Sequence, residues 1–250
     1  ERQVNSLYGM IDLSYKSFLF LSLTGRNDWF STLSPENRSI LYPSATVSFI
    51  FSEAFSSLPD WVTFGKLRAA YAEVGDDNVA PYSNVAYYRF ENNLFTNPLG
   101  QQVPIGSTTQ TQVPNPELRP LRVSEAEVGV ELKLFNNKVG FDLTYYNKLT
   151  KDQILAVQVS NASSYLTRLV NIGKSRNQGI EALLTVSPIE TNSFKWDVNF
   201  NVSYNTSEVL KLGLTDADTM ISFGNLRYVV GKPIGSLYTY KYLRDDQGRQ

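Results

Sequence analysis

The sequence predicts an all-β chain and, within that class, a stretch of transmembrane antiparallel β-barrel wall. Three observations carry this. Long segments alternate strictly between apolar and polar residues. Their connections alternate between short and long, so an antiparallel sheet gathers the long ones at one end. Aromatic side chains recur at both ends of the apolar face, where rings that are part apolar and part polar favour a lipid–water boundary.

The elements follow in chain order. Leu7–Tyr15 alternates Leu7, Ile11, Leu13 and Tyr15 with Tyr8, Met10, Asp12 and Ser14, and Leu19–Arg26 answers it with Leu19, Leu21 and Leu23. A two-residue turn would set Leu13 opposite Phe20 and mix the faces. A three-residue turn, Tyr15–Ser17, keeps them apart. After a polar loop, Ser44–Phe51 places Ala45, Val47, Phe49 and Phe51 on one face. Ser52–Thr63 has room for one helical turn before Phe64–Val74 returns. Val128–Leu134 and Val139–Tyr145 flank Asn136-Asn137, and Asn tolerates the positive φ of a type I′ turn. That turn pairs Leu134 with Val139 and Val128 with Tyr145, and sets Glu131 opposite Asp142. Gly179–Val186 and Lys195–Asn205 complete eight strands, with Trp196, Val198, Phe200, Val202 and Tyr204 on one side of the last. Ile154–Val159 is a further short candidate, and Ile234–Tyr242 has the pattern of another strand start.

Strand and loop lengths set the environment of the apolar face. The strands run about 8–11 residues, against roughly 5–6 in an average globular sheet, and a tilted crossing needs about 9–11. Tyr15, Phe51 and Trp196 fall at the short-turn end and Tyr71, Tyr145 and Tyr204 at the long-loop end. A soluble sandwich could use the same alternation; the three features together favour lipid. Residues 1–206 then hold the strands and three external loops, 27–43, 75–124 and 149–178. Residues 207–250 form a further external loop with the start of a strand.

Composition narrows the chemistry. With no Cys and no His, thiol and imidazole catalysis and the usual zinc sites are excluded. Net charge is −1, so no basic field argues for nucleic acid. No pair of carboxylates is spaced to suggest glycoside hydrolysis. No catalytic residue, metal ligand or cofactor site is therefore expected. Asp216-Ala217-Asp218 and Asp245-Asp246-Gln247-Gly248 lack the spacing of a calcium loop.

Several stretches carry a family resemblance, in order along the chain. They are Leu23–Phe49 (LTGRNDWFSTLSPENRSILYPSATVSF), Lys66–Asp76 (KLRAAYAEVGD) followed by Pro81-Tyr82, and Asn115–Pro120 (NPELRP) followed by Glu127-x-Gly129. Tyr145–Leu155, Asn171–Glu181 and Gly231–Tyr240 continue the series. Together they resemble the SusC/RagA-type TonB-linked outer membrane proteins. NPELRP departs from the usual Asn-Pro-x-Leu-Lys-Pro-Glu signature at Arg119 and Leu121. The resemblance implies a slice of a roughly 22-stranded barrel, with the plug, the TonB-contacting box and the final strand outside this segment. It also implies a SusD-like surface lipoprotein, the TonB complex and outer membrane lipid as partners, and glycans or oligopeptides as cargo. Import of a siderophore or cobalamin is the alternative within the wider class. A soluble carbohydrate-binding β-sandwich is the alternative outside it.

Two groups of residues are candidates for function. Trp29, Phe30 and Tyr42 in the first external loop, and Tyr82, Tyr87, Tyr88 and Phe90 in the longest, could stack on sugars or peptides, or could pack their own loops. Arg26, Lys66, Arg68, Glu127, Glu131, Asp142 and Glu181 should face a wet lumen, where charge either guides cargo or is simply solvated.

Overall fold

The computed structural model describes residues 1–77, 79–107, 111–163, 165–213, 219–223, 225–240, 244 and 247. Eight strands form one antiparallel sheet in which each pairs with the next in order. They are β1 Val4–Tyr15, β2 Leu19–Phe30, β3 Ser39–Ile50, β4 Val62–Asp76, β5 Leu121–Leu134, β6 Val139–Lys151, β7 Lys174–Glu190 and β8 Lys195–Lys211.

The β5–β6 hairpin has the register its turn dictates: Leu134 opposite Val139, Glu131 opposite Asp142 and Val128 opposite Tyr145. Asn136 and Asn137 take positive φ, 56° and 66°, and Phe135 joins them at 54°. Phe135 is held from outside the hairpin. Its N–H donates to the Trp61 carbonyl at 2.8 Å, and its ring stacks on Trp61 with centroids 6.0 Å apart.

The β1–β2 turn is three residues long, one position later than expected: Lys16–Phe18, with Tyr15 opposite Leu19 and Leu13 opposite Leu21. Lys16 and Ser17 take the positive φ, and Phe18 N–H closes onto the Tyr15 carbonyl at 3.2 Å. Tyr15 therefore ends its strand instead of turning, and an edge-to-face ladder of rings runs from it through Phe18 and Phe49 to Phe55. Phe51 opens a helical turn, Phe51–Ala54, rather than closing β3. Its ring covers Gly65, where a side chain would collide with it.

The strands run 12–17 residues, longer than the alternation suggested. Past the aromatic girdle a side chain no longer has to suit lipid. The apolar pattern stops there while the hydrogen-bond ladder continues, as in the pairing of Arg26-Asn27-Asp28 with Ile40-Leu41-Tyr42. Likewise β7 continues through Pro188 by a register shift between Val186 and Ile189. A proline is tolerated at such an irregularity. The β7–β8 connection thereby shrinks to a tight turn in which Thr191 N–H meets the Phe194 carbonyl at 2.8 Å.

All the tight connections lie at one end of the sheet. At the other end stand the loops 31–38, 77–120 and 152–173. Three small sheets are built there: Arg89–Thr96 with Gln102–Ser107, Ile154–Gln158 with Thr167–Asn171 and Gln112–Val113, and Met220–Phe223 with Leu226–Val229 and Ser236–Leu237. Ser236–Leu237 thus pairs within this last satellite, so the strand pattern at Ile234–Tyr242 is used there among the described residues. Asp216–Asp218 and Asp245–Asp246 lie outside the described residues.

Candidate functional site

The register collects the polar side chains on one face. Lys66, Glu131, Asp142, Leu183 and Asn201 form one cross-strand row, and Arg68, Gly129, Thr144, Glu181 and Ser203 form the next. Ala70, Glu127, Tyr146, Gly179 and Asn205 follow. Each of the like charges Glu131 and Asp142 has its own cation from β4. Lys66 Nζ lies 2.6 Å from Glu131, and the Arg68 guanidinium donates to both oxygens of Asp142 at 2.6 and 2.9 Å. Lys133, the nearer residue in sequence, stands 3.9 Å from Glu131. Arg68 reaches β6 by crossing β5 over Gly129. A Cβ there would lie 2.6 Å from the Arg68 Nε, so a side chain at this position would push the guanidinium off its path.

At the long-loop end the polar face rises into a packed rim. Phe30, Leu33, Ile40, Tyr42 and Leu118 form a hydrophobic cluster with Val79, Ile154 and Leu169 against it. Phe30 is 4% exposed and has no free ring face, and Tyr42 is buried beside it. Trp29 is half-buried, in register between Asn5 and Ser39. Burial pushes the Tyr42 phenol above its ordinary range, and neighbouring Asp28 adds to the effect. Among the described residues its hydroxyl has no hydrogen-bond partner, and it lies over Gly75, where a Cβ would stand 2.5 Å from it. Arg26, whose Nε donates to Asp28 at 2.8 Å, stands at this rim and not among the deeper charges. Asp77 is fully buried, held by Thr32 and Arg2.

The segment Asn115–Pro120 knots this rim together. Asn115 Oδ1 accepts from Glu117 N–H at 3.0 Å, folding the chain back on itself, and its amide donates to the Leu169 carbonyl at 2.8 Å. The Pro116 carbonyl accepts from Ser34 Oγ at 2.7 Å. Leu118, 1% exposed, plugs the hydrophobic cluster. Asn171 accepts from Arg119 N–H at 2.8 Å and donates to the Arg119 carbonyl at 2.7 Å, while the Arg119 side chain reaches Asp152 at 3.2 Å. Loops 31–38, 77–120 and 152–173 therefore share one anchor.

Beyond the anchor the longest loop is open to solvent. Ser83 carbonyl accepts from Asn115 N–H at 3.0 Å, closing a neck. Past it come Tyr87, Tyr88 and the hairpin of Arg89–Thr96 with Gln102–Ser107. Tyr88 and Phe90 are 81% and 78% exposed, and Tyr82 packs edge-on against Tyr87 at 6.2 Å. The structure thus separates two sets of predicted aromatics: Phe30 and Tyr42 pack, whereas Tyr82, Tyr87, Tyr88 and Phe90 project. A cavity of about 480 Å³, not anticipated from sequence, lies where loop 152–173 meets the end of β8, with Gln153, Leu155, Asn177, Val209, Tyr228 and Ile234 in its lining. Its walls come from distant segments, so no local motif announces it. Among the described residues no cluster of carboxylates is placed to hold a metal ion.

Comparison with known proteins agrees with this geometry. The family described as TonB dependent receptor-like, beta-barrel matches residues 1–248. TonB-dependent receptor P26 of Formosa agariphila is 29% identical over 248 residues, covering 96% of this chain and 24% of the relative. TonB-dependent receptor SusC of Bacteroides thetaiotaomicron is 26% identical over 258 residues, covering 98% and 26%. The chain thus spans about a quarter of the length of these relatives. Among solved structures, the RagAB peptide importer in its open-open state superposes with a TM-score of 0.84 at 20% identity, over 98% of this chain and 26% of that one. The siderophore receptor PirA of Pseudomonas aeruginosa gives 0.51 at 17% identity, over 83% and 37%. With a wall of eight paired strands, one face apolar and one charged, and a family match along almost its whole length, this chain belongs to the TonB-dependent receptor β-barrel family of the bacterial outer membrane.

Proposed function

We propose that this segment is the cargo-facing wall and mouth of a TonB-dependent importer for oligomeric nutrients, glycans or oligopeptides, working under a SusD-like surface lipoprotein. The observation that carries this is the division of labour at the long-loop end: a rigid, knotted rim below, and a solvent-exposed aromatic hairpin above it. Projecting tyrosines suit either sugar rings or peptide side chains. The much higher fold likeness to a peptide importer than to a siderophore receptor supports the oligomer reading over the siderophore one. Arg68, Lys66, Glu131, Asp142, Glu127 and Glu181 then line a wet lumen. Import uses binding and conformational gating, with the energy supplied through the TonB complex.

The complete receptor tests this. Tyr87→Ala with Tyr88→Ala should lower uptake of its glycan or peptide at least fivefold, or abolish co-purification of the lipoprotein, while leaving insertion intact. Unchanged uptake and unchanged co-purification would remove the hairpin from both roles. Because the segment has no cysteine, orientation can be read separately. Leu99→Cys should react with a membrane-impermeant maleimide on whole cells and Asn136→Cys should not; the reverse pattern would invert the topology.

A further inference from the structure

Leu169, in the strand Thr167–Asn171, packs against the hydrophobic cluster of the rim. Alternation puts its neighbours Arg168 and Val170 on the other face of that strand. Both line a cavity of about 580 Å³ where the three knotted loops meet, and Asn37, Glu117 and Arg119 line it with them. Its walls are fixed by the knot. The amides of Asn115 and Asn171, also in the lining, donate to the Leu169 and Arg119 carbonyls. Arg119 itself is engaged by Asp152 at 3.2 Å.

Two charges are left over. Arg168 is half-buried, and its Nε is sealed from water without an acceptor. Among the described residues no acidic side chain lies within ion-pair distance of its guanidinium, Glu117 included. Glu117 is exposed, and its carboxylate has no ion-pair partner among the described residues either. A cation that has lost part of its water and gained no counter-ion is costly to hold. It also attracts an incoming anion more strongly than a fully hydrated cation does. With Nε seated in the wall, the two outer nitrogens are what a ligand can reach, and their planar fork matches the two oxygens of a carboxylate.

Glu117 decides what kind of molecule carries that carboxylate. It repels a second negative charge and accepts from hydroxyl groups. A hexuronic acid has one carboxylate and several hydroxyl donors on a single ring. An acidic peptide brings apolar stems instead, and among the described residues Val170 is the only apolar side chain in the lining. We propose that Arg168 and Glu117 form a subsite for a hexuronic acid unit of a cargo glycan, with the sugar carboxylate on the Arg168 guanidinium and ring hydroxyls donating to Glu117. The proposal rests on the importer reading above and narrows its cargo to acidic glycans.

The test uses the complete receptor in detergent, titrated calorimetrically with glucuronate, galacturonate and mannuronate, with the three corresponding neutral hexoses, with glucose 6-sulfate, and with an acidic tripeptide. At least one hexuronate should bind wild type about tenfold more tightly than its neutral hexose, the value of one charge-assisted pair. Arg168→Gln should erase that preference, and Arg168→Lys, which keeps the charge without the fork, should retain part of it. Glu117→Ala should weaken hexose and hexuronate together without narrowing the gap between them. Absence of a preference for any of the three hexuronates in wild type would overturn the proposal, as would a preference that survives Arg168→Gln. Tighter binding of the sulfate ester or of the tripeptide than of every hexuronate would overturn it as well. If Arg168→Gln, with no sugar present, loses the heat-dependent gel shift or the protease resistance of the 77–120 loop, Arg168 holds the receptor together and the proposal fails. Uptake that still depends on Tyr87 and Tyr88, with no hexuronate preference, would remove this subsite alone and leave the importer reading standing.

Discussion

Arg68 depends on a side chain that is absent. Its route to Asp142 passes over Gly129, so Gly129→Ala, a change that ordinarily favours a strand, should here destabilise the receptor by about 1–3 kcal/mol through overpacking. In an Arg68→Ala background the same substitution should cost close to nothing. A double-mutant cycle on thermal midpoints checks this, and equal costs in both backgrounds would sink it. Tyr42 gives the opposite kind of case, a buried hydroxyl without a partner among the described residues. Its folded pKa lies above the unfolded value of about 10. Its contribution to stability is therefore complete below that unfolded value and is lost as pH rises through the folded one. Tyr42→Phe should be neutral or stabilising at pH 7 and should flatten the loss of rim stability that sets in above about pH 10, read by proteolysis on either side of that pH. Which face each charge occupies was legible from alternation alone, since Glu127, Glu131, Asp142 and Glu181 share a parity with their polar neighbours. Which charge meets which was not. The partners Lys66 and Arg68 are set by the β4–β5 register, across a connection of more than forty residues with no turn to fix it.

Among elements, the β5–β6 hairpin was readable to the residue because a two-residue Asn-Asn turn and the apolar pattern demand the same register. The β1–β2 turn was readable only in length, because Lys16 and Ser17 are not residues that announce positive φ. Strand ends were underestimated for a physical reason: alternation records contact with lipid, whereas pairing ends only where the ladder does. The rim knot left a motif but no visible purpose, since its partners Ser34, Leu169 and Asn171 come from other loops. Leu118→Ala should weaken the rim by about 2–5 kcal/mol. Protease should then cut the 77–120 loop of the complete receptor sooner, while the heat-dependent gel shift of the barrel stays as in wild type. Simultaneous loss of both would show that rim and wall unfold as one unit.

For the whole molecule, β1 and β8 each pair on one side only. Such edges cannot face lipid, because no water is present to satisfy their free N–H and C=O groups. The 250-residue segment expressed alone should aggregate, whereas the complete receptor should extract as a dispersed species in detergent. A monodisperse folded segment would contradict this. The neck at Ser83 and Asn115 has a further consequence. With Gln112–Val113, which pairs with Thr167–Arg168, it welds the root of the loop to its neighbours, whereas Arg89–Thr96 and Gln102–Ser107 pair with each other, so that hairpin behaves as an interchangeable cassette. A related hairpin spliced in beyond that neck should redirect what the mouth selects while the weld, and with it the barrel, stays as it was. Recognition could then be redesigned one loop tip at a time.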